Sequence, residues 1–316
     1  MERITTTEAA SRLGIDQAGL TRLLRQHKNS IPGLDSEEKD LLPVEAVDQL
    51  AQLVRNQGKA GGAGKQLASV IAVTSGKGGV GKTSASVNIA TELSLRGHRT
   101  VLVDVDLGLA NAHILAGKAP GKTLFDWLGG RAEFGEIVVD GPGGMKMISG
   151  GSGVKELANL DEKGRIKLVD AILALRPHCD VVILDTGAGI GSGVTDFVAA
   201  ADHTLVVTTS NFAAIADAYG IVKVLVQGGY RKPLHLIVNR VRSPEEAEQV
   251  FKKLQGCTQR FLNHELNWLG LLPEDHSVEG AVLQRTPFCE AYPASVVTKY
   301  LKKVVSALER YLPKRS

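Results

Sequence analysis

The chain has few of the features that would place it outside the cell or within a membrane. It contains three cysteines in 316 residues, Cys179, Cys257 and Cys289, and they lie far apart in the sequence. This spacing predicts neither a disulfide framework nor a cysteine metal site, and it favours a reducing compartment. No uninterrupted apolar run is long enough to span a bilayer, and the first residues do not resemble a secretion signal. We therefore expect a cytoplasmic protein.

A large excess of charge of one sign is also absent. The chain has 37 Lys and Arg residues against 34 Asp and Glu residues, a net charge of +3. This charge is too small to indicate nucleic-acid binding by itself. With 43% apolar and 22% charged residues, the composition is that of an ordinary globular protein. The length allows one α/β domain and a smaller second domain.

A glycine-rich stretch, SGKGGVGKT at residues 75–83, is the most informative part of the sequence. It fits the phosphate-loop pattern G-x-x-x-x-G-K-[ST] from Gly76 to Thr83. The apolar residues 69–74 predict a buried strand before it, and residues 84–96, closed by Gly97, predict a helix after it. In this arrangement backbone N–H groups and the positive end of the helix face a polyphosphate.

The phosphate loop supplies most of the predicted nucleotide site. Lys82 adds a positive charge there, and the hydroxyl of Thr83 is placed to bind Mg²⁺. The residues that we expect to contact the phosphates are Gly76, Lys77, Gly78, Gly79, Val80, Gly81, Lys82, Thr83 and Ser84.

From residue 66 onward, apolar strands alternate with predicted helices. Further strands are predicted at residues 100–103, 181–184, 204–209, 234–238 and 269–272. Such alternation predicts an α/β fold of the P-loop NTPase type, with a mostly parallel, doubly wound sheet covered by helices on both faces. Ligands bind at the carboxyl ends of these strands.

Carboxylates follow two of the predicted strands and suit a phosphoryl-transfer site. Asp185 comes after four apolar residues, the Walker B arrangement in which a carboxylate holds Mg²⁺ or its water. Asp104 and Asp106 end a neighbouring strand. Because they are one residue apart, they point to opposite faces and should have different roles.

Lys77 gives the loop the form K-G-G-x-G-K-T, which resembles the deviant Walker A motif of the MinD/ParA family of ATPases. Residues 104–111 resemble the MinD switch I segment, D-x-D-x-G-L-x-N. Residues 185–191 resemble switch II, with Gly187 where relatives usually carry proline or alanine. The resemblance covers about residues 66–312 and implies slow, Mg²⁺-dependent hydrolysis of ATP to ADP and phosphate.

The same resemblance implies roles for individual residues. Lys77, Lys82 and Asp106 are the implied catalytic residues. Lys77 would contact the nucleotide of the second subunit in an ATP-bound homodimer, and Asp106 would orient the attacking water. Thr83, Asp104 and Asp185 would lie around Mg²⁺.

Two later segments resemble the part of the family's site that holds the adenine. Asn239 and Arg240 resemble the base-reading residues, and Pro273 with Asp275 resembles the loop that covers the base. Formation of an ordinary turn is the alternative for both segments.

Residues 1–57 predict a separate, small, all-α domain. Helices are expected after Thr5, Thr6 or Thr7 and after Asp16, with Gly14 between them, which is helix-turn-helix spacing. A third helix is expected from about residue 43. The segment resembles the MerR-like winged-helix group. Residues 58–66 predict a flexible linker, and residues 67–316 the ATPase domain.

The role of this N-terminal domain stays open between DNA binding, protein docking and packing. DNA binding would use Gln17, Thr21, Arg22 and Arg25 of the second helix. Residues 1–57 hold seven Lys and Arg residues against nine Asp and Glu residues, a poor balance for contacts with phosphates.

The C-terminal segment, residues 296–312, carries apolar side chains at a spacing of three and four residues. Its opposite face holds charged residues such as Lys299, Lys302 and Lys303. The apolar stripe could dock on the sheet. It could instead lie on the inner face of the cell membrane, as in MinD-like proteins.

Asp217, Ala218 and Tyr219 resemble a segment of the flagellar-number regulators of the FlhG/FleN type, although residues 210–212 depart from their Pro-Glu-Pro. This resemblance implies a switch that regulates flagellar number or placement. Its implied partners are a GTPase of the signal-recognition type, flagellar switch proteins or a flagellar transcription activator. Two alternatives stay open: a plasmid or chromosome partition ATPase, and a DNA-binding transcription regulator that only senses nucleotide.

Overall fold

The computed structural model describes residues 3–13, 20–21, 24, 31, 41–51, 67–151 and 160–313. The chain divides into two compact units, one drawn from Met1–Gln66 and Gly228–Arg231 and the other from Leu67–Gln227 and Lys232–Ser316. The predicted linker and most of the predicted second helix, with Gln17, Arg22 and Arg25, lie outside the described residues. DNA binding by this segment therefore stays a prediction.

The small unit contains a two-stranded sheet that the sequence analysis missed, so the all-α prediction has to be corrected. Strand β1 (Arg3–Thr5) pairs antiparallel with β2 (Leu41–Pro43). Helix α1 (Thr6–Leu13) follows β1, and residues 44–51 are also helical. The Thr5 backbone N–H donates to Glu8 Oε2 at 2.9 Å, and the Glu8 N–H donates to Thr5 Oγ1 at 3.2 Å. This reciprocal cap starts α1 at one of the predicted positions.

The large unit is built on an eight-stranded sheet. Its strands are β3 (Ser69–Ser75), β4 (Thr100–Val105), β5 (Val138–Asp140), β6 (Lys146–Ile148), β7 (Val181–Ala188), β8 (His203–Thr209), β9 (Leu234–Val241) and β10 (Leu266–Pro273). They lie in the order β10-β9-β8-β3-β7-β4-β6-β5, and only the β5–β6 pair is antiparallel. The predicted mostly parallel sheet is confirmed, with β5 and β6 as strands that the sequence analysis missed.

Ten helices of the described residues flank this sheet. They are α2 (Lys82–Leu95), α3 (Ala112–Leu115), α4 (Leu124–Leu128), α5 (Glu162–Leu173), α6 (Ser192–Ala200), α7 (Phe212–Gln227), α8 (Pro244–Leu262), α9 (His276–Leu283), α10 (Phe288–Ala291) and α11 (Val296–Glu309). Helix α2 ends at the predicted glycine. Gly97 has a φ of 85°, and the N–H of His98 donates to the carbonyl oxygen of Leu93 at 3.0 Å, which is a Schellman cap.

The C-terminal helix α11 docks on the large unit, which corrects the membrane alternative. The apolar stripe is buried, and its members include Val297, Leu301, Val304, Val305 and Leu308. A Cβ on Gly270 of β10 would lie 2.7 Å from Val304 Cγ2, so this glycine lets the helix approach the strand closely. The face that would enter a bilayer is therefore occupied by the core. None of the described helices combines the length and apolar character needed to cross a membrane.

A buried histidine lies on β9, at the edge of the sheet opposite to the carboxyl ends of the strands. His235 is 0% exposed, and its Nε2 lies 3.3 Å from Nδ1 of His203. The ring of Tyr311 meets it edge-on at a centroid distance of 4.5 Å. Burial, followed by the nearby His203, lowers the pKa of His235 to about 4.

We expect this histidine to make folding sensitive to mild acid. The unfolded chain, with a histidine pKa of about 6.5, binds the proton first, so stability falls as the pH drops from about 6.5 to about 4. The loss at pH 5 should be about 2 kcal/mol relative to pH 7.5. Urea unfolding of the unsubstituted chain and of His235→Gln at both pH values measures it. His235→Gln should lose less unfolding free energy than the unsubstituted chain, whereas the exposed control His178→Gln should lose the same amount. Equal losses in all three proteins would contradict the role of His235 in the acid sensitivity.

Candidate functional site

The phosphate loop joins β3 to α2 at the carboxyl edge of the sheet, and two of its glycines are required by close contacts. At Gly76 a Cβ would collide with the carbonyl oxygen of Asp217 on α7. Gly81 has a φ of 89°, and a Cβ there would collide with Nδ2 of Asn239 at the end of β9. Only glycine fits both positions, because the loop lies directly against these neighbours.

The lysine of the loop and the predicted Walker B carboxylate form a buried ion pair. Lys82 Nζ lies 2.7 Å from Asp185 Oδ1, and the two side chains are 7% and 0% exposed. The hydroxyl of Ser86 lies 2.9 Å from the same Oδ1. The other oxygen, Asp185 Oδ2, has no hydrogen-bond partner among the described residues. A buried carboxylate oxygen without a partner is unusual and suits a cation.

Mg²⁺ fits this arrangement. Thr83 and the other residues of the phosphate loop line one pocket, and Thr83 Oγ1 lies 3.5 Å from Lys82 Nζ. Hydroxyl and carboxylate oxygens are the ligands that Mg²⁺ prefers, together with water and phosphate oxygens. Thr83 and Asp185 would therefore hold the ion, which would neutralise charge on the phosphates when bound.

Asp104 is held in place by backbone hydrogen bonds. It pairs in register with Asp185 across β4 and β7, but both of its oxygens are used by backbone donors. Oδ1 accepts from the N–H of Asp106 at 3.1 Å, and Oδ2 accepts from the N–H groups of Asn111 and Ala112, both at 2.9 Å. Burial and the neighbouring Asp185 raise the pKa of Asp104 to about 7. Asp104 therefore anchors the segment after β4, and its predicted place near the Mg²⁺ shell stays a prediction.

Asp106 instead faces the pocket beside the loop. Burial raises the pKa of this carboxyl. The second predicted switch segment lies next to it, since a Cβ on Gly187 would be 3.6 Å from Asp106 Oδ1. This is an ordinary contact distance, so an alanine would fit at this position. The N–H of Gly189 donates to the carbonyl oxygen of Ser75 at 2.9 Å, which joins this segment to the start of the loop.

Comparison with known proteins identifies the family. Residues 71–288 match the CobQ/CobB/MinD/ParA nucleotide binding domain. The chain belongs to this family. It is 38% identical over 242 residues to the antiactivator FleN of Pseudomonas aeruginosa. This match covers 77% of this chain and 86% of FleN. It is 30% identical to the flagellum site-determining protein YlxH of Helicobacter pylori, over 75% of this chain and 81% of YlxH.

Solved structures of MinD have the same fold. The cell division ATPase MinD of Pyrococcus furiosus superposes with a TM-score of 0.66 at 25% identity, over 77% of this chain and 99% of MinD. MinD of Pyrococcus horikoshii, solved with Mg-ADP, gives 0.65 at 22% identity, over 77% and 97%. This member of the MinD/ParA family is an ATPase, and nucleotide with Mg²⁺ is a general ligand of the family.

The residues predicted to hold the adenine line the same pocket of about 640 Å³, but several are engaged by the protein. Asn239 Nδ2 donates to the carbonyl oxygen of Val80 at 2.8 Å, and Arg240 donates to that of Gly79 at 3.3 Å. The carboxylate of Asp275 accepts from the N–H of Ser277 at 2.9 Å and from that of Val297 at 3.1 Å. Asp275 caps the start of α9 with a carboxylate whose two oxygens are both used, and its contact with the adenine stays a prediction.

Lys77 lies at the mouth of the pocket with an exposed side chain. Its carbonyl oxygen accepts from the hydroxyl of Ser75 at 2.9 Å, which fixes the backbone. Its ammonium group has no ion pair or hydrogen bond among the described residues. The lysine can therefore reach a group outside its own pocket.

Ser86 is a site residue that the sequence analysis missed, although its position one turn after Lys82 on α2 was a usable signal. We expect Ser86→Ala to raise the Mg²⁺ concentration that gives the half-maximal hydrolysis rate by about tenfold. The reason is that Asp185 loses a partner that orients its carboxylate. A magnesium titration of the hydrolysis rate measures the effect. Thr91→Ala is the matched control, since this buried hydroxyl on α2 donates to the carbonyl oxygen of Val87 one turn earlier. Identical titrations for the two variants would contradict the role of Ser86.

Proposed function

We propose that this ATPase is a nucleotide-timed switch, in which Mg-ATP pairs two copies of the chain and hydrolysis separates them. The observation that carries the proposal is the meeting of both switch segments at the phosphate loop. Asp106 faces the pocket beside Gly187, and Gly189 is bonded to Ser75. Loss of the terminal phosphate would therefore change the position of both segments together. Turnover is expected to be slow, since the change of state is the useful product.

Four residues of this chain would have separate roles in hydrolysis. Lys82, now paired with Asp185, would turn its ammonium group to the phosphates when ATP enters. Asp106 would accept a hydrogen bond from the attacking water and orient it. Lys77, which has an exposed side chain, would contact the nucleotide held by the second copy. Asp104 would keep the segment that carries Asp106 in place through its three backbone hydrogen bonds.

We further propose that the switch regulates flagellar number or placement through partner proteins. The similarity to FleN and YlxH supports this role. The name antiactivator favours a flagellar transcription activator as the partner. A signal-recognition-type GTPase and flagellar switch proteins are the other candidates. Residues 1–57 would act as a separate domain joined by the linker at residues 58–66.

The number of flagella per cell tests the cellular role. A strain without this gene should show an abnormal number or position of flagella. A gene encoding Asp106→Ala or Lys82→Ala should fail to restore the normal pattern, and the control Asp140→Ala should restore it. Normal flagella in the deletion strain, together with unstable inheritance of a plasmid or of the chromosome, would instead favour the partition function.

A further inference from the structure

A second pocket of about 410 Å³ lies beside α3, away from the phosphate loop. Its walls come from α3, from the loop before α4, from the residues after β6 and from the turn after α9. The polar and basic residues that line it are His113, Lys118, Thr123, Ser149 and Arg285. None of its described lining residues is acidic. A cavity of this size can hold a small molecule.

The hydroxyl of Thr123 donates to Asp126 Oδ2 at 3.1 Å, whereas the two cationic side chains of this pocket are unused. The side chains of Lys118 and Arg285 have neither an ion pair nor a hydrogen bond within the described part of the chain. Ser149 is 3% exposed, and its Oγ lies 3.1 Å from Nδ1 of His113. Lys146, which already pairs with Asp140, lowers the pKa of that carboxyl most, and Lys118 also contributes to the lowered pKa. Within the described residues, two cations therefore line one cavity without an ion pair of their own.

We propose that this pocket binds the phosphate group of a small phosphomonoester. A phosphate dianion has three terminal oxygens and accepts charge-assisted hydrogen bonds from a guanidinium and an ammonium group together. Arg285 and Lys118 supply these two groups. The bonded pair of Ser149 and His113 adds one neutral donor, because the other proton of the pair is used in the hydrogen bond between them. A carboxylate has only two oxygens and would leave part of this donor set unused.

The pocket is connected to the ATP site through Asp104. His113 follows Ala112, whose N–H donates to Asp104 Oδ2. On the other wall, Ser149 precedes Gly150, where a Cβ would lie 2.8 Å from the carbonyl oxygen of Asp104. A phosphomonoester in the pocket would therefore act on the residue that anchors the Asp106 segment. The expected change in hydrolysis rate rests on the proposed role of Asp106. Binding of the phosphomonoester in the pocket does not depend on that role.

Calorimetric titration of the full chain with glycerol 3-phosphate tests the site. The protein is first saturated with Mg-ADP, so that the phosphate loop is not available to the probe. We expect saturable binding of one molecule per chain, and at least about tenfold weaker binding in Arg285→Gln and in Lys118→Gln. The matched control is Lys122→Gln, a nearby lysine that pairs with Glu136 outside the pocket; it should bind like the unsubstituted chain.

The possible results separate the site from the switch. No saturable binding, or equal affinity in all variants, would overturn the site, and equal affinity for glycerate would overturn its selectivity for phosphate. Saturable binding that is lost in the two pocket variants, with a hydrolysis rate altered at least twofold by the probe, supports both parts. Binding without any change in rate overturns only the link to Asp106. A chain that binds the probe but shows no ATP-dependent pairing would contradict the proposed function and leave the site supported.

Discussion

Replacing Asp106 with alanine is expected to lower the ATP hydrolysis rate at least about 100-fold while leaving ATP affinity within about threefold. The carboxylate faces the pocket beside the loop, and burial raises its pKa, as suits a group that orients water. Its loss should leave the phosphate contacts intact, because Lys82 and the loop backbone are unchanged. Single-turnover hydrolysis and binding of a fluorescent ATP analogue measure the two quantities.

The control for this variant is Asp140→Ala, which removes an exposed carboxylate that pairs with Lys146. Its hydrolysis rate should equal that of the unsubstituted chain. Unchanged hydrolysis in Asp106→Ala would remove this residue from the reaction. If Asp106→Ala then also restored the cellular function, the protein would be a nucleotide sensor of the kind kept as an alternative.

Replacing Lys82 with alanine is expected to weaken ATP binding at least about 100-fold and to destabilise the protein as well. The variant loses the charge that meets the phosphates. It also leaves Asp185 buried without its cation, and breaking a buried pair in this way typically costs about 3–5 kcal/mol. Nucleotide titration and urea unfolding measure the two effects.

A second variant separates these two effects of Lys82. Lys82→Ala combined with Asp185→Asn removes the buried charge, so the double variant should regain part of the lost stability. It should not regain ATP binding, because neither the lysine nor the Mg²⁺ ligand is present. Recovery of ATP binding in the double variant would show that the single variant failed only by unfolding.

The sequence predicted those parts of the site that depend on short-range patterns. The phosphate loop was recognisable because Gly76, Gly81 and Lys82 must stand at fixed spacing for backbone and lysine to reach phosphates. The role of Asp104 was not recognisable, since its donors include Asn111 and Ala112, seven and eight residues further along a loop without a regular pattern. Contacts of this kind follow from the tertiary fold.

The fold shows the same division. Long apolar strands such as β3 and β7 were predicted, whereas the three-residue strands β5 and β6 carry too short a pattern to be recognised. The stripe on α11 was visible in the sequence, but the same stripe suits a membrane or a sheet. The close contact between Gly270 and Val304 decides between them, and it joins residues that are distant in sequence.

The central claim is that ATP joins two copies of this chain through Lys77. Light-scattering mass measurement in Mg-ATP tests it most directly, with Asp106→Ala in both samples so that ATP is preserved. The account predicts that this chain doubles its mass in ATP and that the additional substitution Lys77→Gln leaves it monomeric. A Lys77→Gln chain that still doubles its mass with ATP would contradict the account.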